Sequence, residues 1–282
     1  MSVAGAGRLG GASEASVTRS GVARIADAFA NSGKRAALMP YMMGGFPTLE
    51  ESARIGEAYI RAGADLIELG MPYSDPLADG PVIHAAGTQA LAAGVSIGGV
   101  LEVARALAPS VPVVLMCYSN MVFAPGAEAF LDRLAQSGAC GLIVPDLPYG
   151  EAPEVRAACV ERGIALVPLV APTTPPERMA AIGADAQGFL YTVSVMGTTG
   201  ERQALGDRFA EIVGRAKAST DVPVALGFGI GTPEQAAQAA DAGADGVIVG
   251  TRLVRAAAES EQPAEAVEAV VAALAAGLGS AR

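Results

Sequence analysis

The sequence predicts an α/β fold, an eightfold βα (TIM) barrel with an extra N-terminal helix and extra helices in the βα loops. Short apolar runs alternate with amphipathic stretches, and eight such runs suit one closed parallel sheet with every edge paired. A Gly also recurs ahead of these runs, in Ala62-Gly63-Ala64-Asp65, Ser137-Gly138-Ala139-Cys140, Ile182-Gly183-Ala184-Asp185 and Ala242-Gly243-Ala244-Asp245. A left-handed residue at a helix C-terminus lets the chain reverse into the next strand, and repeated βα units reuse that turn. The alternative, an open doubly wound sheet, calls for a phosphate fingerprint after the first strand; Met43-Gly44-Gly45-Phe46-Pro47 is not GxGxxG.

Residues 1–20 are rich in Gly, Ser and Ala without periodicity and predict a disordered arm, leaving 21–282 as a single barrel domain. Val22, Ile25, Ala26 and Phe29 form a helical stripe that stops at Ser32-Gly33, a helix able to cover the barrel bottom. The predicted strands are 37–43, 66–70, 112–118, 141–145, 165–169, 188–194, 222–227 and 246–250. Between and after them the helical stretches are 49–62, 83–92, 97–107, 127–136, 151–161, 175–182, 206–217, 233–242 and 263–278, with Thr48, Thr174 and Thr232 at helix starts.

Composition excludes several classes of function. Hydrophobic residues make up 51% and charged residues 17%, which supplies a large core. The net charge is −10 without a basic run, so nucleic-acid binding is not expected. A small phosphate ester remains compatible, because backbone N–H groups and helix N-termini bind anions locally. Cys117, Cys140 and Cys159 lack any paired or metal-ligand spacing and read as buried free thiols in a reducing compartment. The lone histidine, His84, can build neither a triad nor a zinc site and reads as a surface residue at a helix start. With no long apolar span and no signal-peptide pattern, the expectation is a cytoplasmic protein.

In a barrel of this kind chemistry sits at the C-terminal ends of the strands. Glu68 lies between Ile67 and Leu69, so the two-residue period turns it into the barrel mouth if they pack outward. Apolar surroundings disfavour its ionised form and suit it to donate a proton near neutral pH; pairing with an Arg or Lys across the mouth is the competing reading. Asp79 follows in a loop dense in Pro, Gly and Asp, where solvated or turn-capping carboxylates are common, and Asp75 before Pro76 reads as loop-shaping. Glycine clusters after strands six to eight, 197–200, 227–232 and 250–251, the last leading into a short helix, signal a phosphorylated substrate. Tyr41, Tyr118, Tyr191 and Phe228 fall near strand ends, where they can form a slot for a flat ring or pack as ordinary core.

The stretch from Glu68 to Pro81, ELGMPYSDPLADGP, closely resembles the signature of the tryptophan synthase α subunit family. Tyr118-Ser119-Asn120, Val144-Pro145-Asp146-Leu147-Pro148, 193–200 and Gly227-Phe228-Gly229-Ile230 follow in the family's order, so the resemblance runs from about Val22 to the C-terminus. It implies cleavage of indole-3-glycerol phosphate to indole and glyceraldehyde 3-phosphate in tryptophan biosynthesis. The family's catalytic acids fall on Glu68 and Asp79, and its phosphate-binding groups on Gly200, Gly229, Gly250 and Thr251. Thr199 matches the threonine that contacts the Asp, and Tyr41, Tyr191 and Phe228 match the pocket aromatics.

The resemblance further implies no cofactor in this chain, pyridoxal phosphate belonging to a β subunit that joins it in an α2β2 heterotetramer and receives the indole. Loops holding Asp79 and Thr199 are then natural lids, and Asp146 a point of coupling to the partner. His84 and Met196 depart from residues common in the family. A non-catalytic subunit that activates a partner and a phosphosugar isomerase are the other functional classes weighed; neither calls for both Glu68 and Asp79.

Overall fold

The computed structural model describes residues 20–193, 202–227 and 229–280, the side chains of 202–205 excepted. Its strands are β1 (Ala37–Met43), β2 (Ile67–Gly70), β3 (Val113–Met116), β4 (Gly141–Ile143), β5 (Ala165–Leu166), β6 (Leu169–Val170), β7 (Leu190–Val193), β8 (Val224–Gly227) and β9 (Gly246–Val249). They run in the order β5-β4-β3-β2-β1-β9-β8-β7-β6, and every pairing is parallel.

The predicted fifth strand is present as two pieces. Pro168 has no N–H to give to a ladder, so the run 165–170 breaks there. The first piece pairs with β4 and the second with β7, so this interrupted strand joins the two ends of the sheet. The result is the expected eightfold parallel barrel.

Side chains alternate strictly between two layers. Met39, Leu66, Val114, Ile143, Ala165 and Ala225 pack inside the barrel, whereas Leu38, Ile67, Leu69, Leu115, Leu142 and Leu226 face the surrounding helices. Ile25, from the helix Gly21–Ala30, joins the inner layer and is fully buried. That helix is held at the barrel bottom by Arg24, whose guanidinium donates to the carbonyls of Gly138 (3.3 Å), Val111 (3.4 Å) and Ala108. Residues 1–19, where the arm is expected, lie outside the described residues.

Most predicted helices form within two or three residues of their expected ends. Thr48 caps Leu49–Arg61 by accepting from the Glu51 N–H, and Thr232 caps Pro233–Asp241 in a reciprocal box with Gln235. Thr174 does not cap: its hydroxyl accepts from the Ala171 N–H at 2.9 Å, and the helix begins at Pro176 (Pro176–Ala184). A five-residue helix, Ser119–Phe123, was not predicted; Asp146 fastens its start by accepting from the Ser119 N–H and hydroxyl, both at 2.8 Å.

Three of the four recurrent glycines adopt the expected left-handed turn, with φ of 96° at Gly63, 77° at Gly138 and 90° at Gly243. Gly183 instead lies within a helix, where a Cβ would come 2.2 Å from the carbonyl oxygen of Ser219. There the missing side chain serves close packing. Two aspartates of the same motif tie the strand starts together: Asp65 accepts from the Leu38 N–H (2.7 Å) and Lys34 (2.9 Å), and Asp245 accepts from the Val224 N–H and Lys217, both at 2.8 Å. The three cysteines are buried and unpaired, as the sequence suggests. No single helix among the described residues is long and apolar enough to cross a membrane.

Candidate active site

At the C-terminal ends of the strands a cavity of about 420 Å³ opens, and its wall gathers residues from β1, β2, β3, β7, β9 and the loops behind them. Tyr41, Glu68, Asp79, Tyr191, Gly229, Gly250 and Thr251 all line it. Thr199, Gly200, Phe228 and the variant position Met196 lie outside the described residues.

Glu68 faces inward on β2 in register with Tyr41 on β1, and only 2% of it is exposed. Among the described residues no cation pairs with it, and its Oε2 is buried without a hydrogen-bond partner. Burial first, and then the nearby Asp79 charge, push its carboxyl up to about 8. The acid is therefore held protonated at neutral pH. Among the described residues it is the one buried side-chain oxygen or nitrogen left without a partner, the pattern of a group reserved for a ligand.

Asp79 is half-buried in the loop after β2 and lines the same cavity. Burial raises its carboxyl from the ordinary range, while a hydrogen bond from Tyr118 and the proximity of His84 act in the opposite direction. Tyr118 thus departs from its expected place in the ring slot. It stacks on Tyr73 with ring centroids 5.1 Å apart, and its hydroxyl accepts from the Ala78 N–H at 3.0 Å.

The two tyrosines that do reach the cavity are seated over glycines. A Cβ on Gly70 would lie 2.1 Å from the Tyr41 hydroxyl, and one on Gly227 would lie 2.4 Å from the Tyr191 hydroxyl. Each ring therefore needs a glycine at the end of the neighbouring strand. Both phenols are buried and held neutral, chiefly by loss of hydration. Ile83, Met116 and Ile248 complete apolar stretches of the wall. Sequence reasoning missed these three, although Met116 and Ile248 share the inward parity of their strands.

Beside Tyr41 the helix Thr251–Ala258 starts at Gly250, where its N-terminus lines the cavity. The first N–H groups of a helix have no carbonyl partner within it and carry partial positive charge. Gly229 approaches from the β8 loop with a left-handed φ of 80°. Gln235, Arg252 and Arg255 also line this end and were not anticipated. The site thus holds one neutral acid, one ionisable acid, two aromatic rings and an anion-binding terminus.

Residues 28–281 match the family model described as tryptophan synthase alpha chain. The chain is 50% identical over 223 residues to the tryptophan synthase alpha chain of Prochlorococcus marinus, covering 78% of this chain and 81% of that one. It is 49% identical over 234 residues to that of Synechococcus elongatus, covering 82% and 88%. Among solved structures, a tryptophan synthase from M. tuberculosis superposes with a TM-score of 0.83 at 38% identity, covering 93% of this chain and all of that one. With an eightfold barrel, a buried Glu68 lining the same cavity as Asp79, and a match over nearly its whole length, this chain belongs to the tryptophan synthase alpha chain family.

Proposed function

We propose that this chain is the α subunit of a tryptophan synthase, a carbon–carbon lyase that cleaves indole-3-glycerol phosphate to indole and glyceraldehyde 3-phosphate in tryptophan biosynthesis. The observation that carries the assignment of roles is the buried, unpartnered carboxyl of Glu68 at the wall of a cavity that also presents Asp79.

Breaking the bond between indole C3 and the adjoining glycerol carbon requires C3 to leave as a neutral arene. Glu68 donates its proton to C3, which makes the ring an indoleninium cation. The ring N–H, now more acidic, is held by the carboxylate of Asp79, which stabilises the developing charge. The hydroxyl on the adjoining carbon then returns a proton to Glu68. Its O–H electrons form the aldehyde carbonyl, and the C–C electrons restore the aromatic ring. The proton count closes on Glu68, so no other acid or base is needed.

Tyr41, Tyr191 and Phe228 hold the indole ring, and backbone groups at Gly200, Gly229, Gly250 and Thr251 hold the phosphate. Thr199 meets Asp79 when the loops close. Cleavage in this reading uses side chains alone, with pyridoxal phosphate confined to a β subunit. That partner assembles with this chain as α2β2 in the cytoplasm and takes up the indole. Residues 21–282 act as one domain and 1–20 as an arm.

Indole release from indole-3-glycerol phosphate, measured with the β subunit present, tests the assignment. Glu68→Gln and Asp79→Asn are each expected to slow release by about 10²–10⁴-fold. A Glu68→Gln variant as active as the wild type overturns the acid role. Stimulation of the partner by a wild-type chain that cleaves nothing favours a purely regulatory subunit.

A further inference from the structure

We infer that Arg252 and Arg255 form a cationic lip on the phosphate end of the cavity and hold the dianion that backbone N–H groups alone would have to bind; this rests on the reading just given. The glycine-rich loop behind β8 offers fewer donors than its sequence suggests. Gly231 and Thr232 both give their N–H groups to the side-chain oxygen of Gln235, at 2.8 and 3.2 Å. Those two donors are engaged before any ligand arrives.

Arg252 and Arg255 stand three residues apart in the helix Thr251–Ala258, so they project from one side of it, and both line the cavity beside Thr251. The Arg252 stem passes over Gly231, where a Cβ would meet its Cβ at 3.5 Å. Neither guanidinium has an ion pair or hydrogen bond with another described residue, whereas Arg35, Arg54, Arg61, Arg105, Arg156 and Arg162 are all ion-paired. Two like charges one turn apart repel unless an anion lies between them.

The rest of the cavity makes such cations necessary. Of the two carboxyls that line it, Glu68 is held neutral and Asp79 carries charge, and the chain as a whole carries a net charge of −10. A phosphate ester approaching this mouth meets a field of its own sign. Arg252 and Arg255 reverse that sign locally, beside the helix start at Thr251.

Calorimetric titration of wild type, Arg252→Gln, Arg255→Gln and the double variant with glyceraldehyde 3-phosphate, inorganic phosphate and indole tests the lip. The double variant is expected to bind both phosphates about five- to tenfold more weakly and to lose most of the salt dependence of that binding. Its affinity for indole stays at the wild-type value, and in cleavage assays the loss falls on KM more than on kcat. Arg252→Lys recovers part of the phosphate affinity. Unfolding of each variant is followed in parallel, so that a drop in all three affinities with a lowered Tm is read as misfolding and counts against the lip. Wild-type phosphate affinity and salt dependence in a folded double variant overturn it. If phosphate weakens as expected but wild type cleaves no indole-3-glycerol phosphate, the lip stands and the proposed activity falls.

Discussion

Tyr118 holds the loop of Asp79: its hydroxyl accepts from the N–H of Ala78, the residue before it, at 3.0 Å, and lies close enough to the Asp79 carboxylate to favour its charged form. The end of β3 thereby fixes a loop that belongs to β2. Removing the hydroxyl in Tyr118→Phe forfeits a net stabilisation of about 1 kcal/mol, which for a chain of this size lowers Tm by roughly 2–4 °C. The larger effect falls on turnover, because Asp79 loses both its anchor and the contact that favours its charge; kcat/KM for indole release is expected to fall about tenfold. Steady-state kinetics beside a thermal melt separates the two effects.

The carboxyl of Glu68, pushed up to about 8 by burial and by Asp79, makes the acid step depend on pH. The protonated form is the active one, so kcat/KM is expected to hold level through neutrality and fall as pH rises past about 8. Glu68→Asp, with a shorter reach into the same buried place, keeps this alkaline limb at a reduced rate. A rate profile without any such limb would remove Glu68 as the proton donor.

Stability follows the same group with a definite sign. The folded protein keeps the Glu68 proton up to about pH 8, while the unfolded chain releases it near its ordinary value of 4.5. Between those values the folded state binds more protons, so unfolding becomes easier by roughly 1.4 kcal/mol for each pH unit. Glu68→Gln does not titrate. Denaturant unfolding is therefore expected to show the variant gaining on the wild type from pH 5 to pH 8, with no further gain above.

Arg24 bears on the barrel bottom and not on the chemistry. Its guanidinium serves carbonyls from the starts of two neighbouring βα units, and Arg24→Met leaves them without a charged donor. A loss of about 2 kcal/mol in chemical denaturation is expected, with cleavage kinetics of the remaining folded protein unchanged.

The strand count, the turn glycines at 63, 138 and 243, and the inward aim of Glu68 were legible because each rests on a local period or a local dihedral need. The break in the fifth strand was also legible in principle, since Pro168 stands within the apolar run 165–170 and a proline cannot serve a ladder on both sides. What local pattern does not carry is contact across the fold. Tyr118 sits at a strand end like Tyr41, yet one braces a loop and the other lines the cavity. Both share the inward parity of their strands; Tyr41 lies over Gly70 at the end of the neighbouring strand, whereas Tyr118 is drawn to the Ala78 N–H and stacks on Tyr73. Gly183 shares its motif with three turn glycines, but the backbone of Ser219 decides its purpose. Gln235 stands out in no local pattern, and the structure places its oxygen on the loop amides.

The interrupted closing strand gives the barrel a seam. In the order β5-β4-β3-β2-β1-β9-β8-β7-β6 the seam lies at the two ends, and β1 and β2 lie at or next to the middle. Glu68 and Tyr41 therefore occupy the part of the ring farthest from its weakest pairing. Breathing of the barrel will start where β5 and β6 contribute two residues each, and amide exchange should be fastest there. The acid that must meet one carbon atom of its substrate is set at the still point of that motion.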